Sequence, residues 1–306
     1  MTLRPFLLFP VLGFAALAQE PEHEMTLAER QQAYSAYVHE LLGEDPYQTG
    51  DVELPGGLAA LHLPAGYRFL PEEGAKKVVV DLWGNPPESV EDTLGLIVPA
   101  EEELDQFDSW AVVVEFEEEG YVSDHDADEI DYDELLSQMK EGASAANAER
   151  TAAGYPAVDI VGWAIPPHYD KSHKVLHWAK DVHFSDAEDD TLNYDVRVLG
   201  RRGILNLQAV ASMSNLAEIQ DVSPLLTGMV EFLPGHRYAD YDPKTDKKSE
   251  LSLAGMIVGG AVAAKLAAKA GILAKLGIVL AKGWKAIAIG AVALGGMFKK
   301  LVRRQA

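Results

Sequence analysis

The chain has 306 residues, 48 Asp plus Glu against 26 Lys plus Arg, a formal net charge of −22, a 48% apolar share and no cysteine. So acidic a chain repels phosphate backbones, which excludes nucleic acid as a partner for the bulk of it. The missing cysteines exclude a disulfide framework, a thiolate nucleophile and Cys-ligated zinc, while the apolar share excludes global disorder.

The charge is unevenly placed. Residues 19–250 hold all 48 acidic residues and 16 basic ones, a net of −32, whereas residues 251–306 hold nine basic residues and no acid. The chain is therefore an apolar start, an acidic body and a basic apolar tail.

Met1 to Ala18, MTLRPFLLFPVLGFAALA, has one early charge, Arg4, an apolar run from Phe6, and Ala16-Leu17-Ala18 before Gln19. This is the three-part layout of a secretory signal peptide, shorter than the roughly 20 residues of a membrane span. Residues 1–18 are expected to be removed, leaving a chain that begins outside the cytoplasm.

Residues 19–55 are read as an amphipathic helical leader and linker. Thr26 and Glu29 form a capping box, and Tyr34, Tyr37, Val38, Leu41 and Leu42 recur at helical spacing until Gly43. Residues 56–245 are read as the acidic domain, of α+β class: an antiparallel sheet packed by helices. Segments 58–63 and 67–70 flank Pro64-Ala65-Gly66 and suggest a hairpin. Pro71 opens a helix to about Trp83, segments 93–98 and 109–116 read as strands, and 131–153 reads as a helix. Segments 157–165, 174–184, 191–199 and 204–213 complete a strand series, with a closing helix near 224–232.

With Gly200-Arg201-Arg202-Gly203 as a loop, Val198 faces Leu205, Val196 faces Leu207 and Tyr194 faces Ala209. The opposite parity holds Asn193, Asp195, Arg197, Asn206 and Gln208, a polar row expected on the open side of a sheet covered on one face. The preceding strand has a similar alternation, with Leu176, Trp178, Val182 and Phe184 in one parity and His173, His177, Asp181 and His183 in the other. The polar row is the candidate interaction surface, against the plainer reading of an ordinary sheet face with an Asp195–Arg197 pair.

The tail, residues 251–304, is rich in Ala, Gly, Ile, Leu and Val but is interrupted by Lys265, Lys269, Lys275, Lys282 and Lys285. Its longest charge-free runs, 251–264 and 286–298, are too short for the ~30 Å hydrocarbon core unless flanking lysines snorkel to the interface. A crossing over about 278–298 would use Lys282 and Lys285 in that way and hold Lys299, Lys300, Arg303 and Arg304 inside. A hairpin of two short crossings and an interfacial helix are the other arrangements, and all three place membrane lipid in contact with the tail.

Several segments of the body resemble a known family. They are Trp83-Gly-Asn-Pro-Pro87, Gly120-Tyr-Val-Ser-Asp124 with Ile130-Asp-Tyr132, Gly162-Trp163 with Pro166-Pro-His-Tyr-Asp170, Leu192-Asn-Tyr-Asp195, Arg197 to Gly203, and Tyr238-Ala-Asp240. In this order they are similar to domain-of-unknown-function family 2167, a family of bacterial membrane-anchored proteins. The resemblance implies a signal peptide, an extracytoplasmic domain and a C-terminal membrane segment, and it supplies no catalytic residue.

Asp124, Asp126 and Asp128 begin like a calcium loop, but Glu129 replaces the required glycine and Leu135 the bidentate Glu, so a solvated turn leading into a helix is the plainer reading. His39-Glu40 lacks the second histidine of a zincin. His173 and His177 lie about 13 Å apart on an extended strand, too far for one ion. No nucleophile elbow, phosphate loop or dinucleotide fingerprint is present, and no cofactor is expected. The expected function is a membrane-anchored binding or scaffold module of the bacterial envelope, at the inner membrane with an envelope protein as a possible partner class. The alternative is a carboxylate-based envelope hydrolase.

Overall fold

Thr26 caps the first helix as its spacing with Glu29 predicts, its hydroxyl accepting from the Glu29 amide and the Glu29 carboxylate accepting from the Thr26 amide. This helix, α1 (Leu27–Leu42), belongs to a computed structural model that describes residues 26–258 apart from 45, 86, 101–103 and 105–109. The expected export signal and the tail beyond residue 258 lie outside the described residues. Among those described, no helix is long and apolar enough to cross a membrane.

The sheet elements follow as β1 (Asp51–Glu53), β2 (Ala59–His62), β3 (Tyr67–Pro71), β4 (Thr93–Pro99) and β5 (Ala111–Glu117). After helix α3 (Tyr132–Ala152) come β6 (Val158–Asp170), β7 (Val175–Phe184), β8 (Thr191–Leu199), β9 (Ile204–Ser212) and a short β10 (Val230–Phe232). Helix α2 (Glu72–Lys77) follows β3, α4 (Leu216–Gly228) precedes β10, and α5 (Leu253–Val258) closes the described chain.

The main sheet has seven strands in the order β3-β4-β5-β9-β8-β7-β6, with each pair antiparallel. Helix α3 carries the chain from β5 in the middle to β6 at the far edge, and three successive antiparallel pairings return it to β9 beside β5. The β8–β9 register is the one read from the loop: Val198 with Leu205, Val196 with Leu207, Tyr194 with Ala209. Gly203 makes the closure possible, because a Cβ there would collide with the Glu117 carbonyl and the Phe116 ring.

The structure corrects three local expectations. Residues 58–63 and 67–70 do not form a hairpin, since β2 pairs with β1 and β10 in a separate three-stranded sheet while β3 joins the edge of the large one. The closing helix runs over Leu216–Gly228 with Pro224 inside it, and residues 230–232 form a strand. The large sheet is covered on both faces. One face packs Val112, Val114, Tyr194, Val196, Leu205 and Leu207 against the small sheet and Ile219 and Leu226 of α4.

The opposite face carries two separate apolar patches. Leu96, Val98, Ala111, Val113 and Val210 pack against α1 through Tyr34 and Val38 and against α2 and the turn after it. Leu176, Trp178, Leu199 and Ile204 pack against α3 through Leu135 and Met139 and against α5. Helix α5, at the start of the basic apolar stretch, buries Leu253, Met256 and Ile257 in this second patch. Burying one such side chain contributes about 1.5–3 kcal/mol.

Candidate functional site

The register places the polar row of β8 and β9 between those two patches. Glu115, Asn206, Arg197 and Leu176 lie across from one another in one row, Val113, Gln208, Asp195 and Trp178 in the next, and Ala111, Val210, Asn193 and Lys180 in a third. The polar positions thus form a diagonal seam, with the α1/α2 patch on one side and the α3/α5 patch on the other.

This overturns the expectation of an open polar face. Asn193, Asp195, Arg197, Asn206 and Gln208 are all buried, between 1% and 7% exposed, and Lys180 joins them at 5%. The similar alternation of β7 does not make its apolar row continuous with that of β8 and β9. The register instead sets Trp178 against Asp195 and Leu176 against Arg197, so the apolar row of β7 and that of β8 lie on opposite faces.

The seam is held by ion pairs. Lys180 Nζ is 3.0 Å from Asp195 Oδ2, outside hydrogen-bonding angles, and Arg197 Nη2 is 3.8 Å from Asp195 Oδ1. Arg197 Nη1 donates to Glu117 Oε1 at 2.9 Å, the oxygen that also accepts from Asn206 Nδ2. Burial works against the Arg197 charge, but Glu117, Asp195 and Glu115 outweigh it and raise the pKa. The guanidinium also sits 5.5 Å from the Trp178 ring centre.

Glu115 behaves differently. Desolvation and then the neighbouring Glu117 charge push its carboxyl up to about 8, against the lowering pull of Arg197. It therefore carries its proton at neutral pH.

The seam's hydrogen bonding is incomplete. Arg197 Nε, Trp178 Nε1, Asn193 Oδ1 and Asn206 Oδ1 are buried without a hydrogen-bond partner among the described residues. Each such group costs about 1–3 kcal/mol, so four together are large against a typical margin of about 5–15 kcal/mol. Two donors and two acceptors spaced along the seam thus lack partners of their own.

Glu115, Glu117, Lys180 and Trp178 were missed as members of this site. A signal existed: Lys180 has the parity of Trp178, so a charge sat on the apolar row of its strand. Finding Glu115 and Glu117 required the long-range β5–β9 pairing, which no local pattern encodes.

The other candidates are dispersed. Asp124 Oδ2 accepts from Lys174 Nζ at 2.7 Å and from the Tyr169 hydroxyl at 2.8 Å, and its Oδ1 lies 3.2 Å from the Tyr238 hydroxyl. Burial raises the Asp124 pKa, but these donors outweigh it and leave the carboxyl below its usual range. Asp126 Oδ1 lies 3.8 Å from His125 Nδ1, and Asp128 pairs with Lys171. Among the described residues no three His, Asp or Glu side chains form a group able to hold a metal ion. His173 pairs with Asp170, His183 with Asp190, and His177 meets the Tyr194 hydroxyl at 3.1 Å. Burial and then the adjacent His168 lower the His177 pKa. Lys282, Lys285, Lys299, Lys300, Arg303 and Arg304 lie outside the described residues.

Three of the segments that carry the family resemblance meet at Asp124, through Tyr169 and Tyr238, and a fourth, Arg197 to Gly203, supplies the seam arginine and the β8–β9 loop. The fold and seam define an α+β protein with one seven-stranded antiparallel sheet and a divided helix layer. The chain belongs to the family described as "Protein of unknown function (DUF2167)", whose model matches residues 46–295. No curated protein matches the sequence.

Among solved structures, the chain is similar to cyanobacterial PsbP (CyanoP) from Synechocystis sp. PCC 6803, at 8% identity and TM-score 0.35, over 63% of this chain and 95% of that one. The Ran-binding protein Mog1p of Saccharomyces cerevisiae matches at 12% identity and TM-score 0.32, over 64% and 99% of the two chains. LpqN of Mycobacterium tuberculosis, described as involved in cell envelope biogenesis, matches at 14% identity and TM-score 0.31, over 69% and 99%. At these values the likenesses carry no functional argument.

Proposed function

We propose that the protein is a membrane-tethered, extracytoplasmic binding module of the bacterial envelope, and that the polar seam is its binding site. The observation that carries the reading is the set of four buried donors and acceptors left without partners between two apolar patches. The tether rests on the sequence: an export-signal pattern at residues 1–18 and a tail with nine basic residues and no acid, suited to anionic lipid. An envelope protein partner would meet the acidic body.

Two experiments test the reading. Replacing Lys282, Lys285, Lys299, Lys300, Arg303 and Arg304 by Glu is expected to move the body from the membrane fraction to the soluble one, and retention at the membrane overturns the tether. For the site, Arg197→Met and Asn206→Leu are expected to abolish binding of any solute captured by the purified full chain. Unchanged binding in both overturns the seam.

A second reading, a carboxylate-based hydrolase, is favoured by Glu115 alone. A protonated carboxyl two residues from the Arg197-paired Glu117, with Cα atoms about 7 Å apart on one strand face, separates an acid from a base. Glu115→Gln is expected to remove any hydrolytic activity on that reading, and full retention excludes Glu115 as the acid.

A further inference from the structure

The seam is electrically balanced while its hydrogen bonding is not. Two cations, Lys180 and Arg197, face two carboxylates, Asp195 and Glu117. Glu115, the remaining carboxyl, is neutral at pH 7 because burial and Glu117 push it up to about 8. A charged ligand would leave one ion of this set without a counterpart in a buried site, the costly arrangement for any buried ion.

The unmet groups have a particular chemistry. Arg197 Nε and Trp178 Nε1 need acceptors, whereas Asn193 Oδ1 and Asn206 Oδ1 need donors. A hydroxyl supplies both from one atom, as a donor through its hydrogen and an acceptor through its oxygen. The residues span three adjacent strands: Trp178 on β7, Asn193 and Arg197 on β8, Asn206 on β9. With strands about 4.8 Å apart and a rise of about 3.3 Å per residue, the set spreads over roughly 10 Å across the strands and about 13 Å along β8, the reach of two or three sugar rings.

Access is graded along the seam. Asn193, Asp195 and Lys180 are buried at one end, while the Glu117 side chain is 28% exposed at the other and Glu115 beside it is partly exposed. The carboxyl end is therefore the mouth.

Resting on the binding reading above, we propose that the seam binds a neutral polyhydroxylated ligand, a saccharide, through Arg197, Trp178, Asn193 and Asn206. The test is calorimetric titration of the purified full chain with N-acetylglucosamine, glucose and trehalose as neutral probes, and glucose 6-phosphate and galacturonate as charged ones. A neutral saccharide is expected to bind, to change tryptophan emission, and to lose at least tenfold in affinity in Asn206→Leu and in Asn193→Leu. Because either variant can fail to fold, the crystal structure of the unsubstituted chain grown with the same probes is the second measurement.

Binding of a charged probe in preference to its neutral parent overturns the proposal of a neutral ligand and leaves the binding reading standing. Binding that folded Asn variants leave unchanged places the ligand elsewhere and overturns the proposal. If no probe binds and ordered waters alone occupy Arg197 Nε and the two Asn Oδ1 atoms, both the proposal and the binding reading fall.

Discussion

Arg197 on β8 reaches over β9 to place its Nη1 2.9 Å from Glu117 Oε1 on β5, joining two strands that are not neighbours in the sheet. Asn206 on the intervening strand donates to the same oxygen, so one carboxylate ties three strands together. Removing a buried cation from such a set leaves its carboxylates uncompensated, which costs more than the pair contributes when intact. Arg197→Met is expected to lower unfolding stability by about 3 kcal/mol in urea titration. Adding Glu117→Gln to it is expected to recover part of that loss, and strict additivity of the two would show that the bridge is not coupled.

Glu115 gives the seam a pH dependence whose sign is determined by its raised pKa. The folded state holds its proton up to about 8, whereas an unfolded chain releases it near 4.5. Between those values the folded state binds more protons, so this group makes stability fall as pH rises. Glu115→Gln is expected to remove that slope, with the variant's melting temperature close to the parent's near pH 4 and above it at pH 8. A constant difference at all pH values would contradict the assignment.

The β8–β9 loop is anchored in the opposite sense. Arg201 grips Asp246 through Nε at 2.7 Å and Nη2 at 3.0 Å, and the Asp242 amide donates to the same carboxylate. The Arg201 hydrogen bonds and then the Asp242 amide hold Asp246 down to about 2 against an ordinary 3.8. Its contribution is therefore complete above about pH 3.8 and is lost as pH falls towards 2. Asp246→Asn is expected to lower the melting temperature at pH 7 and to flatten the acid limb of the profile.

Lys174 occupies left-handed backbone, with φ of 60°, while its ammonium pairs with Asp124 at 2.7 Å and lies 5.0 Å from the Tyr238 ring centre. Left-handed backbone costs a non-glycine residue about 1–2 kcal/mol, and a partly exposed ion pair contributes about 1 kcal/mol or less. Lys174→Ala loses the pair and keeps the strain, whereas Lys174→Gly loses the pair and relieves it. The Gly variant is expected to be the more stable by about 1 kcal/mol in chemical denaturation, the reverse of the usual order.

Helix α5 belongs energetically to the body, because Leu253, Met256 and Ile257 fill the patch around Trp178 and Met139. A chain ending at Glu250 is expected to bind a hydrophobic dye and to melt well below one ending at Val258. Equal melting of the two would show that the helix adds nothing to the core.

The β8–β9 hairpin was legible because its register depends only on a short loop and on alternation within two adjoining segments. The Thr26–Glu29 capping box was legible for a similar reason, since it is a contact between residues three apart. The seam was only half legible. Its residues on β8 and β9 could be named, but local alternation cannot say whether a polar row faces water or a second helix layer.

Sequence alone determined the uneven charge, the starts of α1, α2 and α3, most strand positions and the β8–β9 register, since each depends on neighbours along the chain. Tertiary structure decided that β2 leaves β3 for another sheet, that Trp178 lies on the face opposite Tyr194, and that Glu117 meets Arg197. Those outcomes depend on which distant strands pair. Burial then turns the polar row from an ordinary wet surface into a closed site, because an unpaired donor that costs almost nothing in water costs about 1–3 kcal/mol once water is removed.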